Sequence, residues 1–285
     1  MNSKIIESIY YLGPEGTYTN QALELFISNE KLKYSKTEPL KTIKAVLKAV
    51  DEEKNAYGVV PIENSIEGIV RETIDNLIRL KNDDVRVISE VALSISHALM
   101  SKAKDKSKIK TIISHPQAIG QCREYLDKNF PDVKIIEETS TAEAAKKAAE
   151  LGESAAAIAN EMAARIFKLN IIDKDINDEK DNKTRFFLIG KAVTLPSQAD
   201  KTSIVFSTKN IAGALAKVLT VFQKHSINLT YIDSRPSKRK LGDYNFFVDV
   251  EGHILDKNIN SAIKEIRPLI SFYRFNGSYK KIETK

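Results

Sequence analysis

Cysteine is almost absent: Cys122 alone stands in 285 residues. That excludes an intramolecular disulfide and a zinc site built on thiolates. Its surroundings, "AIGQCREYL", read as a helix in which a buried thiol packs as a small hydrophobe. The four histidines (His97, His115, His225 and His253) are scattered and lack metal-ligand spacing such as HxxxH. No apolar run is long enough to span a bilayer, and the one in "MNSKIIESIYYLGPEG" is too short for a signal peptide. A cytoplasmic protein with no membrane partner is therefore expected. The GxGxxG fingerprint of dinucleotide-binding turns is missing. Lysines lie in mixed runs such as "SKAKDKSKIK" and "SYKKIETK", without interleaved aromatics, so the net charge of +6 describes solvated faces rather than a nucleic-acid footprint. A mildly basic surface also suits a small anionic substrate. Neither an internal repeat nor a low-complexity tract occurs.

What is present is ordinary in bulk and specific in order. Apolar residues at 42% and charged residues at 29% describe a globular chain, and its length suggests two domains more readily than one. Short β-rich runs alternate with amphipathic helices. "IYYLG" reads as a strand and "TNQALELFISN" as a helix, and in "TIKAVLKAV" Ile43, Val46, Leu47 and Val50 share one helical face. "YGVVPI" is a strand, and "VRVISEVALSISHALM" suits two strands or one that crosses between lobes. "IKTIIS", "VKIIE" and "SAAAIA" follow as strands, with "PQAIGQCREYLDKNF" and "TAEAAKKAAELG" as helices between them. This alternation predicts an α/β fold with a largely parallel sheet. Residues 191–202, "KAVTLPSQADKT", break the pattern and mark a linker. Beyond them the chain reads strand, helix, strand, strand, helix, strand, a βαββαβ ferredoxin-like unit.

Polar residues cluster at strand ends, where parallel α/β folds hold ligands. "DNKTRFFLIG" turns from charged to apolar at Thr184 and Arg185, ahead of Phe186, Phe187, Leu188 and Ile189, a strand buried on both faces. A solvated strand end accounts for the Thr-Arg pair, and so does a pair facing a ligand. "LGPEGTYTNQA" sets Gly13, Pro14 and Gly16 in a strand-to-helix turn before Thr17 and Thr19, which is either a capped turn or an anion cradle. Asn64 and Ser65 in "VVPIENSIEGIV" form an Asx turn or a polar rim. Thr139, Ser140 and Thr141 in "EETSTAEAA" exceed the single hydroxyl that a helix cap needs. His115 in "SHPQAIGQC" reads as a capping or packing residue.

Together, "YLGPEGTYT", "VVPIENSIEG", "SHPQAIGQC", "TSTAEAA" and "NKTRFFLIG" occur in the order and approximate spacing of the prephenate dehydratases. "GALA" and "NLTYIDSRP" resemble the signature segments of the ACT regulatory domain that follows the catalytic domain in that family. The resemblance implies a two-lobed catalytic domain like type II periplasmic binding proteins over residues 1–190, a linker over 191–202 and an ACT domain over 203–285. It implies decarboxylating dehydration of prephenate to phenylpyruvate, in phenylalanine biosynthesis. It ties Thr184 of the "TRF" motif to catalysis. Thr17, Asn64, Ser65, Thr139, Ser140, Thr141, Arg185 and Phe186 become the expected substrate contacts. The substrate is its own electron sink, so neither a cofactor nor a metal is expected. Arg185 suits a carboxylate, but neighbours in a strand face opposite ways, so Arg185 instead holds the lobes together if Thr184 faces the cleft.

In ACT domains that this unit resembles, the glycine turn and the "SRP" segment bind phenylalanine at a dimer interface. Gly213, Ala214, Leu215, Asn228, Leu229, Asp233, Ser234, Arg235 and Pro236 are then the expected effector site. L-Phenylalanine is the expected inhibitor, and a homodimer or homotetramer the expected assembly. Gly213 is expected in the first helical turn, where glycine costs about 1 kcal/mol against alanine; close approach of a ligand or second chain, or helix packing alone, explains it. Asp233 stands where glutamate is usual, and Ala216 where "GALV" ends in valine, so the site is expected to be re-tuned. With no room ahead of Tyr10 for a fused chorismate mutase domain, a monofunctional enzyme is expected. The rivals are an arogenate dehydratase, acting on the amino analogue, and a non-catalytic amino-acid sensor, which has no need of an intact "TRF".

Overall fold

In the computed structural model, which describes residues 5–237 and 243–283, the first lobe is built from capped helices laid on a mixed sheet, parallel on one side and antiparallel on the other, rather than the largely parallel one expected. The extreme ends of the expected units, 1–4 and 284–285, lie outside the described residues. The elements run β1 (Ile6–Leu12), α1 (Tyr18–Glu30), β2 (Tyr34–Leu40), α2 (Ile43–Glu52), β3 (Ala56–Asn64), β4 (Gly68–Ile69), α3 (Arg71–Leu77) and β5 (Arg86–Ser94). Thr17 and Thr42 cap α1 and α2 by accepting the backbone N–H groups of Asn20 and Ala45. The apolar face read from the sequence of α2 (Ile43, Val46, Leu47, Val50) is buried against the sheet.

The second lobe comprises β6 (Ala98–Ser101), β7 (Thr111–Ser114), α4 (Pro116–Gly120), α5 (Arg123–Asn129), β8 (Lys134–Glu137), α6 (Thr141–Leu151), β9 (Ala155–Ala159), α7 (Glu161–Phe167) and β10 (Asn170–Asp173). Its sheet has the order β10-β6-β9-β7-β8. Alanines dominate its core: Ala144, Ala145 and Ala148 of α6 lie against Ala155, Ala157 and Ala159 of β9, and small side chains let helix and strand approach closely. The long run from Val85 to Met100 forms two strands, with Ile95, Ser96 and His97 crossing between the lobes. The chain returns through β11 (Lys183–Gly190), which inserts antiparallel between β3 and β5.

The third unit is β12 (Asp200–Thr208), α8 (Ala214–Lys224), β13 (Leu229–Pro236), β14 (Tyr244–Glu251), α9 (Lys257–Ile266) and β15 (Ile270–Glu283). It is the expected βαββαβ unit, with strand order β13-β14-β12-β15 and antiparallel pairing throughout. It is not a separate bead. The end of β15 pairs parallel with β5, Lys280 opposite Ser89, so its sheet runs on into the first lobe. Gly277 makes the junction possible: at φ +136° it lies so close to β5 that a Cβ would sit 2.3 Å from the Val87 carbonyl oxygen.

Two local expectations change. "PQAIGQCREYLDKNF" is two short helices, because the chain turns at Gln121 and Cys122 and drives the thiol into the core. Burial pushes that thiol up to about 12, which makes it the inert hydrophobe anticipated. Strand β2 was not foreseen; it is an exposed edge strand whose Lys36 and Pro39 disguise it as a loop.

Candidate active site

A cleft of ≈ 390 Å³ opens where strand ends of the two lobes face each other. The first lobe contributes Gly13 after β1, Lys41 after β2, Asn64 at the end of β3 and Thr184 at the start of β11. The second contributes His115 after β7 and Thr139, Ser140 and Thr141 after β8. Phe186, two residues along β11 from Thr184, faces the same side and forms an apolar wall.

Thr184 stands opposite Asn64 in the β11–β3 ladder. The Asn64 Oδ1 accepts the backbone N–H groups of Ile66 and Glu67 at 3.0 and 2.9 Å, an Asx turn that fixes the amide. Its Nδ2 is thereby aimed at Thr184 Oγ1, 2.9 Å away, and at Asn182 Oδ1, 2.7 Å away. The Thr184 oxygen already accepts, and among the described residues its own proton meets no acceptor. It is a donor held ready toward the cleft.

Beneath this donor lies a polar floor that the sequence reading missed. Asn182 Nδ2 donates to Gln121 Oε1 at 3.2 Å, and His97 Nε2 is 3.1 Å from the same oxygen. Tyr18 donates to the Ser96 carbonyl at 2.7 Å and lies 3.0 Å from His97 Nδ1. Burial lowers His97 to about 4, so the ring is neutral at pH 7. Among the described residues no carboxylate lines the cleft, and Lys41 is its one lysine or arginine. Tyr18, Gln121 and Asn182 lie inside quoted motifs without being singled out there, and nothing local distinguished His97 or Lys41.

Several expected contacts prove to be structural. Gly13 N–H donates to the Leu40 carbonyl at 2.9 Å and Gly16 N–H to Asn20 Oδ1 at 3.0 Å, so these amides form a capped turn rather than an anion cradle. Thr17 lines the cleft, but its hydroxyl caps α1 and donates to the Pro14 carbonyl at 3.0 Å. Ser140 caps α6 through Glu143 N–H at 3.0 Å, while the hydroxyls of Thr139 and Thr141 have no protein partner among the described residues. His115 caps α4, as anticipated. Ser65 does not line the cleft: its Oγ accepts from Lys183 N–H at 2.9 Å and donates to the Asp181 carbonyl, clamping the approach to β11.

Arg185 is the principal correction. It faces the opposite side of β11, is absent from the cleft wall, and pairs with Asp249, Glu90 and Glu63. The period of two along a strand forces this once Thr184 faces the cleft. Its partners make it a tie between the first lobe and the third unit rather than between the lobes.

The nine expected effector residues divide into two groups. Gly213, Ala214 and Leu215 line a pocket of ≈ 320 Å³ beside Tyr244 and Phe246. Gly213 is the residue before α8, at φ +76°, so glycine is there for its left-handed backbone and the cost within a helix does not apply. Asn228 and Leu229, Asp233, Ser234, Arg235 and Pro236 of β13 do not line that pocket in the single chain. Arg235 is held by Asp75 of α3 at 3.2 Å, and Pro236 borders a separate hollow with Asp75.

Comparison with known proteins supplies the frame. The prephenate dehydratase family matches residues 9–194, and the ACT domain family matches residues 202–268. A bifunctional chorismate mutase/prephenate dehydratase of Aquifex aeolicus is 43% identical over 274 residues, covering 96% of this chain and 73% of that protein. A prephenate dehydratase of Methanocaldococcus jannaschii is 42% identical over 277 residues, covering 96% and 98% of the two chains. The crystal structure of a prephenate dehydratase from Arthrobacter aurescens in complex with L-Phe superposes with a TM-score of 0.85 at 31% identity, covering 96% and 89%. No helix among the described residues is long and apolar enough to cross a membrane.

Proposed function

The chain belongs to the prephenate dehydratase family, and from that premise we propose that Thr184 is the residue with which it converts prephenate to phenylpyruvate. We assign catalysis to residues 1–190, joined through 191–202 to a regulatory unit over 203–285 that takes L-phenylalanine, in a cytoplasmic enzyme.

Prephenate carries a ring carboxylate and, across the ring, a hydroxyl. Breaking the carboxylate's C–C bond sends an electron pair through the ring, the C–O bond to the hydroxyl breaks, and carbon dioxide and hydroxide depart as the ring becomes aromatic. The protein must hold a dianion and ease the exit of hydroxide. An aliphatic hydroxyl is a poor base at neutral pH but a good donor to an oxygen gaining charge in the transition state. The carrying observation is the Thr184 hydroxyl itself: its oxygen is satisfied by Asn64 and its proton is left for the cleft. Thr139, Thr141 and Lys41 are suited to the two substrate carboxylates. Because among the described residues no carboxylate lines the cleft to receive an ammonium group, prephenate fits better than arogenate.

For the effector, support comes from the pocket beside Gly213, from the ACT match and from the L-Phe complex of the Arthrobacter relative. Residues of β13 stand apart from that pocket in one chain, so a second copy would complete the site in a homodimer or homotetramer. The test is product analysis: purified protein given prephenate or arogenate side by side. Phenylpyruvate from prephenate, in clear excess over turnover of arogenate, is expected; no phenylpyruvate would end the reading.

A further inference from the structure

Arg185, the neighbour of Thr184, reaches away from the cleft into the third unit. Its Nη1 lies 2.7 Å from Asp249 Oδ2 on β14 and 3.3 Å from Glu90 Oε2 on β5, and its Nε lies 3.3 Å from Glu63 Oε2 on β3. The guanidinium also sits over the Tyr231 ring of β13, 5.8 Å from its centroid. Tyr231 is the strand partner of Asp249 and falls between Leu229 and Asp233 in the expected effector segment. Asp249 is fully buried and accepts a further bond from Ser203 of β12. One side chain therefore touches both the strands that would feel an effector and the strands that build the cleft.

The backbone at this point is irregular on its β3 side only. Arg185 pairs with Glu63 but Phe186 pairs with Pro61, so Ile62 is skipped and a bulge lies beside Thr184. Bulges re-aim side chains, and this one, in β3, leaves the pitch of residues 184–186 to be held on the β5 side alone, where Thr184, Arg185 and Phe186 pair in regular register with Leu93, Ala92 and Val91. The Arg185 Nη2 is buried without a hydrogen-bond acceptor among the described residues, so the guanidinium keeps an unused donor that another arrangement could satisfy.

We infer that Arg185 is a positioning residue for Thr184, and that its bond to Asp249 is the link through which occupancy of the effector segment alters turnover. The inference rests on the effector reading above. A shift of the paired β13 and β14 relative to β11 moves Tyr231 and Asp249 together. Arg185 follows, because a buried guanidinium cannot give up its carboxylate cheaply. Thr184 is the next residue along the strand, and a donor displaced by about 1 Å can lose on the order of 100-fold in rate.

Asp249→Asn keeps the shape and removes the charge. Measured are kcat and KM for prephenate with and without saturating L-phenylalanine, and the Kd of L-phenylalanine by calorimetry. In the wild type, phenylalanine is expected to depress turnover at least about 5-fold, the lower edge of ordinary allosteric coupling. In Asp249→Asn, kcat is expected to fall roughly 10-fold with KM within about twofold, as for a donor misplaced by a fraction of that 1 Å. Phenylalanine should bind with Kd within about threefold of wild type yet change turnover less than about twofold, because the coupling and not the site is removed. Arg185→Lys, which keeps the charge but not the fork, should retain part of the inhibition. Tyr231→Leu leaves every buried charge paired and serves if Asp249→Asn does not fold; it too should weaken inhibition while binding persists. Full inhibition in Asp249→Asn or, failing that, in Tyr231→Leu, or inhibition lost only because binding is lost, overturns the inference. If wild-type protein does not bind phenylalanine, the effector reading fails, and an unchanged kcat in Asp249→Asn removes the positioning role as well.

Discussion

The two faces of strand β11 follow opposite electrostatic rules. Toward the cleft, Thr184 is set beside Asn64 and Asn182, with threonine hydroxyls unpaired and no carboxylate on the wall among the described residues. On the other face, one residue along, Arg185 and Lys201 are buried with Glu90 and Asp249, the side chains only 12%, 12%, 3% and 0% exposed. A site that must admit a dianion uses mostly neutral donors beside the cation Lys41, which bind anions without a large standing burden of uncompensated charge. Charges that must leave water are confined behind the sheet, where each has an opposite partner. The contrast separates two jobs that the sequence places side by side: the chemistry proposed for 184 and assembly at 185.

Substitutions on either face can break that contrast. The largest effect is expected from Arg185→Met, which strands Asp249 and Glu63 without their shared cation; breaking a buried pair in this way costs about 3–5 kcal/mol. Urea unfolding would register it, and a loss under about 1 kcal/mol would mean that the back face is not a structural tie. Thr184→Ala should do the reverse: kcat falls roughly 10²–10³-fold with KM nearly unchanged, while stability drops by only about 1 kcal/mol for one lost hydrogen bond. Steady-state kinetics on prephenate checks it, and near wild-type turnover would refute the donor role. The smallest effect concerns the neutrality of the cleft floor. His97 takes a proton near pH 4 when folded, against about 6.5 in an unfolded chain, because burial disfavours the cation. As pH falls the unfolded state is protonated first, so this contribution is intact above pH 6.5 and drains away toward pH 4, about 2 kcal/mol being lost by pH 5. Thermal melts at pH 7.5 and pH 5 should show a smaller acid loss for His97→Gln than for wild type; equal losses would contradict it.

Much of this was legible in the primary structure, for reasons that can be located. The buried strand from Phe186 to Ile189 declared itself by an unbroken apolar run, and the βαββαβ unit by its alternating periods. Strand β2 did not, because an edge strand exposed along most of its length carries the composition of a loop. At the site, the quoted motifs held Asn64, Thr139, Thr141 and Thr184, which do line the cleft. They could not say which hydroxyls were already engaged: Thr17 and Ser140 line the cleft too but cap helices, and Ser65 clamps a loop. Alternation showed that Thr184 and Arg185 part company but not which way each turns. Lys41 and His97 were invisible because their roles arise from tertiary approach alone.

The junction at Gly277 bears on the order in which the molecule can assemble. Strand β5 is made early, yet its flanking neighbours are β11, which arrives only after the whole second lobe, and the end of β15, which arrives among the last residues described. A ribosome releases this chain from its beginning, so the first lobe must wait with an open seam while everything between is synthesised. Such distant pairings make for slow folding and leave a nascent edge exposed to other chains. The third unit is thus the closing stitch of the first lobe's sheet, which cannot be complete before nearly the last residue described has been made.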